Sequence, residues 1–198
     1  MIFKKIAISV AIAASTSAAM AGEGFYAGVG ISAVGSSFNR IEGALNLNAG
    51  ATNTVGVVDV GYISQFNNDW GIGYGATLDM SKTKAGSIMD ADQHIKFSAK
   101  NHNSVYVQPT FNLNSSTAVF GKIGYHKIRA EVVDLDGNND SLALNGVGYG
   151  FGMKTMATKN IYLQAEVMWV DYKAKTDTLD TNKLKPTSGL VSIGYQFN

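Results

Sequence analysis

The stretch WGIGYGATLDM, Trp70–Met80, decides how this chain is read. At a period of two it separates into Trp70, Ile72, Tyr74, Ala76, Leu78 and Met80 on one side. Gly71, Gly73, Gly75, Thr77 and Asp79 lie on the other. Alternate residues of a β-strand point to opposite faces, so one face is wholly apolar and the other small or polar. A soluble strand would bury its apolar face and leave glycines toward water, where they weaken the strand and offer nothing polar. A lipid-facing strand of a narrow barrel suits the pattern better, with large side chains against acyl chains and glycines where the interior is crowded. Eleven residues also match the roughly 9–11 that a tilted strand needs to cross a bilayer.

The pattern recurs along the chain. Strands are expected over about 24–34, 54–66, 70–80, 104–113, 118–129, 144–155, 161–172 and 189–197. Alternation lapses at Ile63 and Ser64, and Pro109, which cannot donate a ladder hydrogen bond, implies a local bulge. Between the strands lie long polar stretches at 36–53, 81–103, 130–143 and 173–188, which read as loops. Short turns at 67–69, 114–117 and 156–160 alternate with them. Long connections on one side and short turns on the other describe a closed, eight-stranded, antiparallel up-and-down transmembrane β-barrel, an all-β fold. Phe25, Phe66, Trp70, Tyr195 and Phe197 fall toward the short-turn edge, and Tyr125, Trp169 and Tyr172 toward the long-loop edge, as interfacial aromatics do.

The first 21 residues are set apart. Lys4 and Lys5 precede the apolar run Ile6–Ala14, and Ala19-Met20-Ala21 has the small-x-small form of a cleavage site. This predicts a secretory signal peptide over 1–21 and one barrel domain over 22–198. No later stretch of 18 apolar residues could form a membrane-spanning helix. Lys4 and Lys5 account for two of the 16 basic residues, leaving 14 against 15 acidic ones, so nothing favours nucleic acid. The chain has no cysteine, and its stability must come from elsewhere than disulfides.

As a whole the pattern resembles the small eight-stranded outer-membrane barrels of the OmpA/OmpX type. GFYAGVG at Gly24–Gly30, GVGYGFGMK at Gly146–Lys154 and VSIGYQF at Val191–Phe197 carry the resemblance. The resemblance implies residence in the outer membrane of a Gram-negative bacterium, in contact with lipid and lipopolysaccharide. It also implies that Val191, Ile193, Tyr195 and Phe197 serve as the terminal signal for the outer-membrane assembly machinery, although here Asn198 follows the last aromatic. Members of that group include structural anchors, adhesins, serum-resistance factors and lipid A enzymes.

Chemistry-bearing motifs are few. Gly71-x-Gly73-x-Gly75 and Gly148-x-Gly150-x-Gly152 lack the spacing and following helix of a dinucleotide site. Asp136-x-Asn138-x-Asp140 lacks the glycine and glutamate of a calcium loop, and His94 and His102 stand too far apart from other ligands for a metal. No cofactor or metal is expected. His126 and Glu166 have no serine motif to complete a triad. Asp59, Asp79, Lys122, His126, Lys154 and Glu166 are expected to face inward as a structural ion-pair network, because buried charges must be paired. Counted from the short turns, Lys122 and Glu166 lie level and should meet, with Asp59 as a third member. Asp59, Asp79 and His126 lie higher and Lys154 near the floor.

The reading is therefore a non-enzymatic outer-membrane barrel presenting four extracellular loops to a ligand or host surface. A narrow pore is the alternative, and an outer-leaflet lipid A enzyme a more distant one. In detergent the protein should give a β-rich circular dichroism spectrum and migrate faster on gels before boiling than after; a helical spectrum would exclude the barrel.

Overall fold

The computed structural model describes residues 23–42, 45–81, 83–90, 93–133, 139–173 and 183–197. For 36–42, 45–51, 83–90, 93–98, 130, 132–133, 139–140, 142 and 183–184 it defines the backbone alone. The expected leader over 1–21, Asn198 and most of the Asp136–Asp140 pattern lie outside the described residues, as does the His94 side chain.

Ten strands are present: β1 (Gly24–Glu42), β2 (Leu45–Gln65), β3 (Trp70–Asp79), β4 (Thr83–Asp90), β5 (Gln93–Asn112), β6 (Thr117–Val133), β7 (Asn139–Met156), β8 (Ile161–Lys173), β9 (Lys183–Leu184) and β10 (Thr187–Phe197). They make eight staves, since β4 continues above β3 along β5, and β9 continues above β10 between β8 and β1. All neighbours are antiparallel. Strand β10 closes the ring against β1, from Phe25 opposite Phe197 to Gly35 opposite Thr187. The fold is a closed eight-stranded up-and-down barrel, and the described residues contain no helix.

The face assignments follow the alternation. Phe25, Val29, Ile31, Val60, Trp70, Tyr74, Leu78, Val105, Ile123, Tyr125, Val147, Tyr149, Phe151, Leu163, Val191 and Ile193 all lie exposed on the outside. Such a girdle far exceeds the few hundred Å² of apolar patch that a soluble monomer tolerates. Inside, glycines face large side chains. A Cβ on Gly75 would stand 2.5 Å from the Tyr106 hydroxyl, and one on Gly28 the same distance from that of Tyr162.

Three short turns share one construction at the edge opposite the long hairpins. Asn67 Oδ1 accepts from the amides of Asp69 and Trp70 at 2.9 and 2.8 Å. Asn114 Oδ1 accepts from Ser116 and Thr117 at 2.9 Å each, and Thr158 Oγ1 accepts from Ile161 at 3.0 Å. Short polar side chains that bond the backbone two or three residues on are what these turns select.

Four expectations need correction. Among the described residues the stretches 36–53, 81–103 and 130–143, read as long loops, are largely strand: β1 and β2 remain paired up to Glu42 and Leu45, and β2 runs 21 residues, about twice what crossing needs. Polar composition there marks the loss of lipid, not of the ladder. Ile63 and Ser64 keep the alternation, with Ile63 buried inside. Pro109 faces outward opposite Gly121 and interrupts the pairing without shifting register. The only register shift in that ladder lies between Lys100 and Asn103, where Asn101 has a φ of 52°. Finally, Tyr172 points into the lumen, not to the membrane interface.

Ala76 stands on the outer face between Val60 and Val105 of the neighbouring strands. Ala76→Arg is expected to cost about 2–4 kcal/mol if it lies at the bilayer midplane, measured by urea titration of the protein folded into vesicles. Gly75→Val is expected to block folding for the different reason that it displaces Tyr106 inside.

Candidate functional site

The lumen holds the chain's buried polar groups, arranged in two tiers. In the lower tier Lys122 Nζ donates to Glu166 Oε2 at 2.7 Å, and Gln164 Nε2 donates to the same oxygen at 3.1 Å. Lys122 is 2% exposed. Its ammonium also stands 4.0 Å from the centre of the Tyr106 ring. Tyr106 donates to Asp59 Oδ1 at 2.5 Å and, having spent its proton, accepts from Tyr26 at 2.5 Å. Asp59 thus joins this tier through Tyr106, below the level that counting residues from the turns suggests, because neighbouring strands of a barrel are staggered. Lys154 makes no hydrogen bond; its ammonium rests over the rings of Tyr26 at 4.1 Å and Tyr162 at 4.3 Å. Ring faces carry negative electrostatic potential and attract a cation most strongly where water is excluded. Beneath them Tyr26, Ile63, Met156 and Tyr162 pack together at the short-turn end.

The upper tier is built on the register shift. One extra residue in β5 reverses its parity, so that both Ala99 and His102 face inward. His102 Nδ1 meets Asp79 Oδ2 at 3.0 Å, and its Nε2 meets His126 Nδ1 at 3.0 Å. The two imidazoles are nearly parallel, 8° apart. His126 Nε2 lies against Gly148, which leaves room for the ring. Thr77 and Ser104 share a hydrogen bond of 2.6 Å beside this chain. Asp79 and His126 therefore come together through His102 and stand apart from the Lys122–Glu166 tier. The sequence sets His102 aside as an isolated histidine, because its partners are remote in the chain and only the bulge in β5 turns it inward. Among the described residues no group of three or more histidines and acids is arranged to hold a metal ion.

Above the lower tier a cavity of about 90 Å³ opens toward the hairpins. Lys122, Glu166 and His126 border it, and residues of two apolar clusters form much of its remaining wall. One is Leu144, Met168, Val170 and Tyr172; the other is Val55, Val57 and Leu190.

A family model described as outer membrane protein beta-barrel domain matches residues 6–197. The chain belongs to that family. Membership places it among proteins of the Gram-negative outer membrane. Among solved structures, the attachment invasion locus protein Ail of Yersinia pestis, crystallised with the heparin analogue sucrose octasulfate, is similar at 19% identity. The alignment covers 89% of this chain and 99% of that one, with a TM-score of 0.58. Neisserial surface protein A is similar at 16% identity over 87% and 97%, with a TM-score of 0.56. OprG of Pseudomonas aeruginosa is similar at 15% over 91% and 98%, with a TM-score of 0.53. At these identities the likeness extends to the fold. No curated protein sequence matches the chain.

Within this outer membrane protein beta-barrel domain the Lys122–Glu166 pair is testable directly. Lys122→Met or Glu166→Gln leaves an uncompensated polar or charged partner in a tightly packed lumen and is expected to cost about 3–5 kcal/mol. The double variant should lose less than the two single losses combined. Unfolding midpoints of the three variants in detergent check this, and simple additivity would mean that the residues act independently.

Proposed function

We propose that this outer-membrane barrel is not an enzyme and acts at the cell surface through its four outer hairpins. The lower tier is the observation that carries this reading. Tyr26, Tyr106, Tyr162, Lys122, Lys154 and Glu166 fill the cross-section of an eight-stranded ring, whose interior is just wide enough for side chains. An ion crossing it would have to break the Lys122–Glu166 bond, which favours a surface role over a pore. The ladder that continues beyond the lipid in β1, β2, β4 and β5 gives the hairpins a stiff base. His102 and His126 face the lumen, not the acyl chains, which speaks against chemistry on a lipid substrate.

The ion-pair residues Asp59, Asp79, Lys122, His126, Lys154 and Glu166 serve in this reading as packing that holds the ring rigid. Val191, Ile193, Tyr195 and Phe197, all outward on the closing strand, serve as the signal to the assembly machinery. Residues 1–21 serve as a cleaved leader for export. Lipid and lipopolysaccharide surround the girdle, and an extracellular ligand or host surface meets the hairpins. The similar barrel from Yersinia pestis, an attachment protein, supplies heparin fragments as a first ligand to assay.

The folded protein in a planar bilayer is expected to give no steady conductance steps, whereas discrete steps would replace this reading with the pore. Cells displaying it should adhere to a glycan- or matrix-coated surface. Replacing 37–50 by a two-residue turn, and trimming the other hairpins likewise, should abolish adherence while gel mobility stays heat-modifiable. Undiminished adherence after all four are trimmed would overturn a hairpin-borne role.

A further inference from the structure

Among the described residues, β5 passes through Asn101 and His102 with no partner in register on either side. Its pairing with β3 ends at Asn103 opposite Leu78, and its pairing with β4 begins at Ala99 opposite Thr83. Against β6 the register jumps from Asn103 opposite Lys127 to Lys100 opposite Arg129. Side chains bridge this gap in place of the backbone. His102 reaches Asp79 of β3 and His126 of β6, at 3.0 Å each. Two imidazoles thus hold the joint between the lipid-spanning part of β5 and the hairpin that rises from it.

The number of protons the joint can carry follows from donors and acceptors. The Asp79 carboxylate only accepts, so His102 Nδ1–H donates to it. His102 Nε2 is then free to accept from His126 Nδ1–H, and His126 Nε2 is left bare, buried against Gly148 without a partner. A first extra proton can sit on the imidazoles only by placing an N–H at that enclosed position. A second sets N–H against N–H across the 3.0 Å contact, which no rotation of two nearly parallel rings relieves. Charge points the same way. Around the cavity that His126 borders stand Asp79 from β3, His102 from β5, Lys122 from its own strand, and Glu166 and Tyr172 from β8. Strands β2 and β10 add Val57, Ser188 and Leu190, and β7 meets the ring with Gly148. Glu166 is committed to Lys122 and Gln164. Asp79 alone remains to balance the pair, and one carboxylate offsets one imidazolium, not two.

We propose that His102 and His126 form an acid-operated latch at the base of the β4–β5 hairpin, closed while they share a hydrogen bond and opened when both are protonated. Opening parts the rings and frees the joint at 100–103, while the ladder below stays closed. A histidine freed into the water of the mouth takes up its proton near about pH 6.5, so each pH unit below that favours the open joint by up to about tenfold. The closed latch therefore holds above that pH and is lost as pH falls through it. The inference rests on the fold and is independent of what the hairpins bind.

The test is amide hydrogen exchange of the folded protein in micelles, resolved by NMR and corrected for the intrinsic effect of pH. Between about pH 7.5 and about pH 4.5, protection of the amides at 99–104 in the wild type should fall at least about tenfold. Protection of the β1–β10 ladder should hold. The loss should coincide with conversion of both imidazoles to imidazolium, read from their nitrogen-15 shifts, which needs no variant. His102→Gln offers an amide N–H to Asp79 and a carbonyl to His126 Nδ1–H, whatever the charge on His126, and should show a flat profile. His126→Gln can carry no second charge and should be flat as well. The Lys100–Glu131 pair is intact in both variants, so an acid effect acting through it would appear in them too. Unchanged protection in the wild type, or an equal loss in the variants, would overturn the proposal. So would a loss spread over the β1–β10 ladder, which would report general acid unfolding. Heat-modifiable migration reports that each variant is folded.

Discussion

Everything in this molecule depends on closing the hydrogen-bond ladder. In hydrocarbon an unpaired amide or carbonyl has no water to turn to, so a sheet can cross only if its first and last strands meet. The pairing of β1 with β10 achieves this, and it dictates the rest. A ring of eight strands has a fixed, small bore. The side chains that point inward must share that bore, which is why inward glycines stand opposite Tyr26, Tyr106 and Tyr162. The outward set is then free to be large and apolar.

The interior solves a second problem with the same residues. Carboxylates and ammonium groups inside a narrow tube cannot be solvated by bulk water, and each needs a partner. Glu166 is held by both Lys122 and Gln164, and Asp59 by a tyrosine relay. Lys154 uses ring faces instead of a carboxylate. The arrangement is asymmetric along the axis: aromatic and charged at the short-turn end, apolar-walled and more open at the other. Such a tube has a floor and a mouth.

Within the lipid span the architecture could be read directly from alternation. Lipid and a crowded lumen impose opposite demands on successive residues, and Trp70–Met80 displays both. The inward positions of Lys122 and Glu166 followed from the same parity and their shared level from the turns. Outside the lipid that signal fades. Where both faces of a strand meet water, Asn, Ser and Thr read as loop even though the backbone ladder persists to Glu42 and Leu45. Pairing across two adjacent arms costs little once the strands below are aligned, and composition does not report it. The upper tier was hidden for another reason. His102 reaches Asp79 and His126 only because of the shift at Asn101, and no side-chain pattern marks a single extra residue in a polar stretch.

That extra residue also gives β5 two reading frames. Below it the odd positions Val105 and Val107 meet lipid; above it odd-numbered Ala99 looks inward. The hairpin that rises from this strand is thereby decoupled from the frame the membrane enforces. Sequence drift in the span is confined to swaps that preserve parity. Above Asn101 the strand has already absorbed a frame change, so gaining or losing a residue there exchanges inside for outside without disturbing a single lipid contact. One left-handed asparagine thus separates a part of the chain that can hardly vary in length from a part that can be re-cut residue by residue.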